Sequence, residues 1–426
     1  MKLHLRIKEL MIKIDSKTSN YYKKLKTILD RRRKLDTANF TKVSRIIADI
    51  KKQKKKALIK YEIKYSKNAR ITLPKKIINK SVKNLNREIK SSIDFAYNRI
   101  MKFHMLQKKN LKNIYYLDKY KNKLQYNLVP IQTVGIYVPA NLPSSLLMNA
   151  IPAKVSNVKK IILATPKLDP AVMYAAKKVG IKEIYFMGGA QAIASLAYIQ
   201  NVDKIVGPGN KFVAEAKRQI SGKIVGTESM FAGPSEICVV ADKFTDINQI
   251  ATSLVSQAEH DPNSQCILLT KDKKILPKVN LAIKKIIKSL PRKRIANRSL
   301  KNHGINIIIK NDKEIINTIN LIAPEHLEIN VKNYKKYLNK IYNVGSICNG
   351  KYTPMSLSDY TVGTNHILPT SGSAKFSSGL SINEFIKKIS IVTLSKLGVE
   401  KIGNQAIKLS EYEKLFAHTQ SIKSRM

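Results

Sequence analysis

Two Glu-His pairs are the first candidates for chemistry, because the chain has only 7 histidines among its 426 residues. The first pair, Glu259-His260, lies in the stretch SLVSQAEHDP, shortly after Gln257. This spacing predicts that Gln257 and His260 share one side of a helix, where an amide oxygen and a neutral imidazole could bind one metal ion. A polar helix end is the alternative interpretation, since zinc needs about four ligands.

The second pair, Glu325-His326, lies in LIAPEHLEI, between a predicted helix that ends at Pro324 and a predicted strand. Histidine titrates near neutral pH and can accept a proton, and a glutamate with a suitable pKa can activate water. Neighbouring side chains of an extended chain point apart, so each could face a different part of a substrate. The pair is a candidate acid-base pair, with a purely structural pair as the alternative.

Two later segments add further carboxyl and imidazole groups. LSDYTVGTNHILPT contains Asp359 and His366, and EYEKLFAHTQ contains Glu411, Glu413 and His418. Together with the two pairs, they form one set of candidates for a metal and substrate site. The remaining histidines occur in lysine-rich or loop contexts and are predicted to be surface residues: His4, His104 and His303.

Two glycine turns follow predicted strands and lead into predicted helices. They are Gly188-Gly189-Ala190-Gln191 and Gly207-Pro208-Gly209-Asn210. Ligands of α/β sheets bind at the carboxyl ends of strands, and the free N–H groups at a helix start can hold a phosphate. Neither turn is a G-x-G-x-x-G motif, so ordinary tight turns remain the alternative.

The elements that would position these residues alternate between strand and helix from about residue 132. LDPAVMYAAKKVG, for example, predicts a helix with Asp169 as its N-cap and Gly180 as its stop. Alternating strands and helices are typical of parallel sheets with helices on their faces. Residues 1–125 are mostly helical in pattern, and the chain after about residue 380 is predicted to be helical to its end, with no further strands.

The predicted fold is therefore α/β, with two Rossmann-like parallel-sheet domains, a helical N-terminal region and a helical C-terminal arm. We expect a helical arm at residues 1–30. A first domain, residues 31–131 with 235–380, would carry the metal and catalytic candidates, and residues 132–234 would form the second domain. Residues 381–426 would form an arm that packs on another subunit.

Composition limits the class of protein. The chain is 43% hydrophobic, and no window approaches about 18 consecutive apolar residues, so we expect a globular protein without a membrane span. Its three cysteines form no C-x-x-C, which disfavours disulfides and cysteine-bound zinc and favours a reducing cytoplasm. The basic N-terminal stretch lacks the apolar segment of a secretory signal.

The formal net charge of +49 raises the question of a nucleic-acid partner. Residues 1–125 hold 37 Lys and Arg against 9 Asp and Glu, and the rest of the excess is dispersed. No aromatic RNA-binding motif, zinc finger or basic zipper is recognisable. We expect a solvated basic surface without a specific nucleic-acid partner, and non-specific RNA binding at low salt.

Taken in order, these stretches resemble histidinol dehydrogenase. The matching motifs include VGIYVPA, GGAQAIASLAY, VDKIVGPGNKFVAEAKRQ, AGPSE, SQAEHDPNSQ, APEHLEI, DYTVGTNHILPT and HTQSI, over roughly residues 30–420. The resemblance implies oxidation of L-histidinol to the aldehyde and then to L-histidine with two NAD⁺, as the last steps of histidine biosynthesis.

The resemblance also implies a role for each candidate. The ligands of one zinc ion per subunit would be Gln257, His260, Asp359 and His418. The catalytic residues would be His326, which accepts the alcohol proton, and Glu325, which activates the water that adds to the aldehyde. The substrate contacts would be Ser235, Gln257, His260, His326, Asp359, His366, Glu413 and His418. The NAD⁺ contacts would be Tyr137, Gln191 and Asn210.

The resemblance further implies a homodimer with intertwined tails, in which each site borrows the ligand matching His418 from the partner. The chain departs from the family pattern in the shorter loop YVPANLPSS, and Met355 and Ser358 replace a usual Glu and Gly near Asp359. Two other hypotheses remain: a basic nucleic-acid-binding protein, and an inactive relative that keeps the fold without NAD chemistry.

Overall fold

The computed structural model describes residues 10–33, 39–229 and 233–426. His4 and the start of the predicted N-terminal arm lie outside these ranges. The described strands are β1 (Ile12–Asp15), β2 (Ile114–Leu117), β3 (Lys123–Pro130), β4 (Thr133–Tyr137), β5 (Lys160–Thr165), β6 (Glu183–Phe186), β7 (Lys204–Val206), β8 (Gly226–Thr227), β9 (Glu236–Ala241), β10 (Gln265–Thr270), β11 (Gly304–Ile308), β12 (His326–Asn330), β13 (Ser346–Asn349) and β14 (Ile386–Thr393).

The described helices are α1 (Tyr21–Arg33), α2 (Phe40–Ser66), α3 (Lys75–Lys83), α4 (Arg87–Lys109), α5 (Pro143–Val155), α6 (Pro170–Val179), α7 (Gly189–Tyr198), α8 (Lys211–Ile220), α9 (Ile247–Ala258), α10 (Ile275–Ser289), α11 (Lys293–His303), α12 (Asp312–Ile322), α13 (Lys335–Leu338), α14 (Met355–Ser358), α15 (Lys396–Tyr412) and α16 (Phe416–Lys423). Two 3₁₀ turns occupy Ser373–Lys375 and Ile382–Phe385. Among the described helices, none is both long and apolar enough to cross a lipid bilayer.

The first sheet has six parallel strands in the order β1-β11-β10-β9-β12-β13. β9 and β10 are buried along their whole length, as expected of a parallel sheet covered by helices on both faces. The expectation of a purely helical arm over residues 1–30 is wrong at Ile12–Asp15. This segment forms β1 because Ile14 packs in the core and the backbone satisfies the free edge of β11.

The second sheet has five parallel strands in the order β6-β5-β4-β7-β8, which confirms the predicted α/β fold with two parallel sheets. Its connecting helix α6 has the predicted ends. The Asp169 carboxylate accepts the N–H groups of Ala171 and Val172 at 3.0 and 2.9 Å, and Gly180 ends the helix with φ 96°.

The long helices α2 and α4 pack on the second sheet and not on the first. Ile50 and Leu58 of α2 share a core with Ile193 of α7, and Ile100 of α4 shares one with Leu147 of α5. The assignment of residues 31–131 to the first domain is thus at odds with the packing. The apolar faces of these helices cover α5 and α7, which would otherwise expose apolar side chains to water.

A third, antiparallel sheet has the order β14-β3-β2. It corrects the prediction that the chain beyond residue 380 is helical throughout, because Ile386–Thr393 pair with Lys123–Pro130. The segment IKKISIVT is rich in β-branched residues, which favour strands. The arm becomes helical only with α15 and α16, which pack on one another.

Candidate active site

The catalytic candidates lie at the amino edge of the first sheet, where β9 and β12 begin. His326 is the first residue of β12 and pairs in register with Ile237 of β9. Ser235 directly precedes β9, and its carbonyl oxygen accepts the N–H of Gln265 at 2.9 Å. Parallel pairing therefore brings Ser235, Glu325 and His326 to one edge, although 89 residues separate the partners Glu236 and Glu325 along the chain.

Glu325 and His326 approach one another instead of pointing apart. The Glu325 carboxylate lies 3.8 Å from Nε2 of His326, and Asp359 lies 4.0 Å from the same nitrogen. The prediction of opposed directions is wrong because Glu325 precedes the strand, where side chains need not alternate. Its position is fixed by the backbone N–H of Glu236, which donates to the Glu325 carboxylate at 2.8 Å.

The imidazoles of this edge are held in the neutral form. Burial, together with the neighbouring His366 and His260, lowers the pKa of His326 to about 3. Burial lowers the pKa of His366 to about 4, and its Nδ1–H donates to the Asp359 carbonyl at 2.7 Å. Nε2 of His366 is consequently the basic nitrogen, because a carbonyl can only accept.

Asp359 supplies a carboxyl group close to these imidazoles. It terminates the short helix α14, which packs against α9 and β12. Burial raises the pKa of its carboxyl group to about 7. A nearby cation would favour the ionised form, so a positively charged ligand and the Asp359 carboxylate stabilise each other.

Gln257 and His260 come to this edge from the end of α9. The helix starts at the capping carboxylate of Asp246, and the N–H of His260 donates to the carbonyl of Gln257 at 3.2 Å. Gln257 is 1% exposed, yet neither atom of its side-chain amide has a hydrogen-bond partner among the described residues. A buried amide without partners is costly, so the site fits a ligand that would engage Gln257.

The surroundings of His260 differ from those of the buried Gln257. His260 is an exposed residue, and desolvation by the adjoining protein lowers the pKa of its imidazole. Arg292 donates to the backbone carbonyl of His260 at 3.0 Å and so fixes the turn after α9. The donor set of Gln257, His260 and Asp359 is nitrogen and oxygen only, which suits zinc and related divalent ions.

The tail candidates do not join the site within one chain. Glu413 ends α15 and His418 lies in α16, and both are exposed. Glu411 pairs with Lys423 at 3.1 Å on the same arm. Among the described residues, no group of three or more His, Cys, Asp or Glu side chains is arranged to hold a metal ion. Within the described part of one chain, the tail candidates are thus exposed on the arm and belong to no such group.

The cofactor candidates lie at the carboxyl edge of the second sheet. The N–H of Gly189 donates to the Tyr137 hydroxyl at 3.3 Å, and Asn210 caps α8 by accepting from Phe212 at 3.0 Å. Gly207 has φ 118°, and a Cβ there would lie 2.0 Å from the Tyr137 carbonyl oxygen. The second glycine turn thus requires glycine for a close backbone approach.

Glu62 on α2 belongs to the same edge and escaped the sequence analysis. It is fully buried, and its carboxylate accepts the Gly188 N–H at 2.8 Å and the Gln191 side-chain amide at 3.0 Å. Burial raises its pKa. Glu62 occupies the buried face of α2 four residues after the buried Leu58, and this helical spacing is the sequence signal that could have identified it.

We expect Glu62→Ala to destabilise the fold by about 1–3 kcal/mol, because it leaves the buried Gly188 N–H and Gln191 amide without an acceptor. Urea unfolding of the purified protein measures the change. Glu62→Gln keeps one acceptor oxygen and should be milder. An Ala variant as stable as the parent would show that the carboxylate contributes no net stability.

The prediction that His104 is a surface residue is wrong. His104 is 0% exposed on the buried face of α4, one turn after the core residue Ile100. Its Nδ1 lies 2.9 Å from the Gln107 side-chain oxygen, and burial lowers its pKa. The helical spacing from Ile93 through Ile100 marked this position as internal, but the surrounding lysines obscured the pattern.

Comparisons with known proteins show which sequences and which fold this chain resembles. The sequence model of the family described as histidinol dehydrogenase matches residues 29–426. The chain is 52% identical to the histidinol dehydrogenase of Pelagibacter ubique, across 98% of this chain and 99% of the relative. It is 38% identical to the Neisseria gonorrhoeae protein of the same name, across 98% and 100%. The crystal structure of histidinol dehydrogenase from Elizabethkingia anophelis matches with a TM-score of 0.89, 35% identity and 98% coverage of both chains.

Proposed function

Because the chain belongs to the histidinol dehydrogenase family, oxidoreductases of histidine biosynthesis, we propose that it oxidises L-histidinol to L-histidine in two steps with two NAD⁺. The observation that carries the proposal is the amino edge of the first sheet. There Glu325, Asp359 and His366 surround the neutral imidazole of His326.

In the first proposed step, His326 accepts the hydroxyl proton of histidinol while a hydride leaves the carbon that bears the hydroxyl group. The product is the aldehyde. His326 is neutral at pH 7, which is the form that can accept a proton, and the Glu325 carboxylate, 3.8 Å away, would stabilise the imidazolium that results. Bound NAD⁺ would supply the hydride acceptor in both steps, with Tyr137, Gln191 and Asn210 as its proposed contacts.

In the second proposed step, Glu325 removes a proton from water as the water oxygen adds to the aldehyde carbon. The resulting hydrate then loses a second hydride and a proton to give the carboxylate. The hydrogen bond from the Glu236 N–H, which holds the Glu325 carboxylate 3.8 Å from His326, supports this role. Two half-reactions at one carbon require both acceptors in one pocket.

The substrate is proposed to lie between the two faces of this pocket. Ser235, His366 and Glu413 would contact it, together with the residues that hold the metal. Gln257, His260, Asp359 and His418 would bind one zinc ion per subunit, and the unpartnered amide of Gln257 supports this assignment. Bound zinc would orient the imidazole and amine of histidinol.

We also propose a homodimer with shared active sites. The described part of one chain places His418 and Glu413 on an exposed arm. The arm and the third sheet expose large apolar side chains, the usual mark of an interface. These side chains are Tyr115, Tyr116, Leu124, Tyr126, Ile389, Val392, Leu409, Tyr412 and Phe416.

The proposed compartment is the cytoplasm, since Cys238, Cys266 and Cys348 are buried free thiols of the kind kept reduced there. No specific nucleic-acid partner is proposed. The basic surface would bind RNA only through non-specific, salt-sensitive contacts.

The proposed function is tested by the yield of NADH per L-histidinol, before and after EDTA treatment and after zinc is restored. We expect two NADH per histidinol, lost on chelation and regained with zinc. A yield of one would contradict the second proposed step, and Glu325 would be the first residue to examine. No NADH from protein that retains zinc would refute the proposed activity and favour an inactive relative.

A further inference from the structure

One face of β12 carries three polar side chains, in a sheet whose other positions are largely apolar. His326, Glu328 and Asn330 alternate with the core residues Leu327 and Ile329, so they share the opposite face. Glu328 is 3% exposed and lies in register between Val239 and Cys348. Burying a carboxylate in such surroundings is costly unless hydrogen bonds compensate it.

The compensation comes from α9. The Ser253 hydroxyl donates to the Glu328 carboxylate at 2.8 Å, and the Asn330 amide donates to the Gln249 side-chain oxygen at 3.0 Å. The two helix partners are four residues apart and lie on one side of α9. β12 and α9 therefore run in opposite directions and are joined by two polar contacts.

The spacing of these contacts matches along strand and helix. Two strand residues advance about 6.6 Å. Four helix residues advance about 6 Å. One further step along both elements leads from the Glu328–Ser253 contact to His326 on the strand and Gln257 on the helix. The two contacts thus fix how far α9 can shift along β12. In this register the metal-ligand candidate Gln257 lies level with the proposed proton acceptor His326.

Glu328 makes a second bond to another element of the site. Its other carboxylate oxygen accepts the backbone N–H of Met355 at 3.3 Å. Met355 is buried and opens α14, the short helix that ends at Asp359. A single buried carboxylate therefore ties together the strand, the helix and the turn that carry the proposed metal and catalytic residues.

We propose that Glu328 is a positioning residue of the metal site. Its two hydrogen bonds fix α9, which carries Gln257 and His260, on β12. They also fix α14, which ends at Asp359. The inference rests on the proposed function for the identity of the ligands, and the contacts themselves are independent of it. Residues that orient metal ligands commonly change metal affinity or activity about 10- to 100-fold when they are replaced.

Glu328→Met tests this inference in the full-length protein. Methionine fills a similar volume without an acceptor, so the Met355 N–H and the Ser253 hydroxyl lose their partner, and we expect a somewhat lower urea midpoint with the protein still folded. We expect the dissociation constant for Zn²⁺, measured with a competing chelator, to rise about 10- to 100-fold. The KM for histidinol should rise and the KM for NAD⁺ should not. General damage to the structure would instead raise the KM for NAD⁺ as well.

Three further variants separate the hydrogen bonds from charge and from general damage. Glu328→Gln should retain most zinc affinity, because its amide can donate to Ser253 while its oxygen accepts from Met355. Ser253→Ala should weaken zinc binding less than Glu328→Met, and its effect should largely vanish in the Glu328→Met background. Thr252→Ala is the matched control, since among the described residues the Thr252 hydroxyl bonds the backbone of its own helix, at Asn248 and Gln249.

Wild-type zinc affinity in Glu328→Met would overturn the inference. So would equal losses in Glu328→Gln and Glu328→Met, which would show that charge matters and the hydrogen bonds do not. The zinc measurement uses the metal alone, so it decides the inference without any turnover. A parent protein that binds zinc and forms no NADH from histidinol would instead refute the proposed function.

Discussion

Replacing His326 with glutamine is expected to lower the rate of NADH formation by about two to four orders of magnitude, the usual contribution of a positioned proton acceptor. Glutamine keeps the polarity of the position, but it has no basic nitrogen to take the alcohol proton. Zinc content should be unchanged, because His326 is not among the proposed ligands. Initial rates at saturating histidinol and NAD⁺, with the metal content of the same sample, measure both quantities.

Two further variants are compared with His326→Gln. His303→Gln removes an imidazole outside the group that lowers the pKa of His326, and it should retain normal rates. Glu325→Gln should form the first NADH and stop, so its yield should approach one per histidinol. A His326→Gln enzyme with the parental rate would be incompatible with His326 as the proton acceptor.

The second prediction with a large effect is that two inactive variants restore activity when they are combined in one dimer. His418→Ala and His326→Gln should each lose most of the activity when expressed alone, because each damages both sites of the proposed homodimer. In a hybrid dimer, the body of one subunit keeps His326 and the arm of the other keeps His418, which leaves one intact site. We expect hybrid dimers, isolated through two different tags, to recover about half of the parental activity.

The hybrid experiment has a direct counter-result. If His418 served its own chain, the hybrid would contain no complete site and would stay as inactive as its parents. A control hybrid of His326→Gln with Glu325→Gln places both lesions in bodies, so each site carries one lesion and no intact site forms. The exposed position of His418 and Glu413 on the arm is the structural reason to expect rescue.

The parallel-sheet architecture followed from local signals in the chain. The helix at Pro170–Val179 illustrates this, since Asp169 and Gly180 predicted where it begins and ends, and the structure has both ends there. The core strands β9 and β10 were equally visible as short apolar runs. Such features depend on neighbours in sequence, which is why a single chain reveals them.

Features that depend on distant partners were not visible. β14 is a strand because β3, more than 250 residues earlier in the chain, offers a free edge, and no local rule states this. Glu62 and Glu328 are single acidic residues in lysine-rich or apolar stretches. Their meaning arises only when Gly188, Gln191 and Ser253 come within hydrogen-bond distance.

The edges at which the two sheets carry their candidate sites have an electrostatic consequence. The amino edge of the first sheet is where its connecting helix α9 ends, so unpaired carbonyl groups concentrate negative partial charge beside Gln257 and His260. The carboxyl edge of the second sheet is where α7 and α8 begin, so N–H groups concentrate positive partial charge beside Gln191 and Asn210. The direction of the strands therefore decides which helix ends lie at each edge. A helix C-terminus at one edge favours a cation, and helix N-termini at the other favour phosphate groups, without any charged side chain.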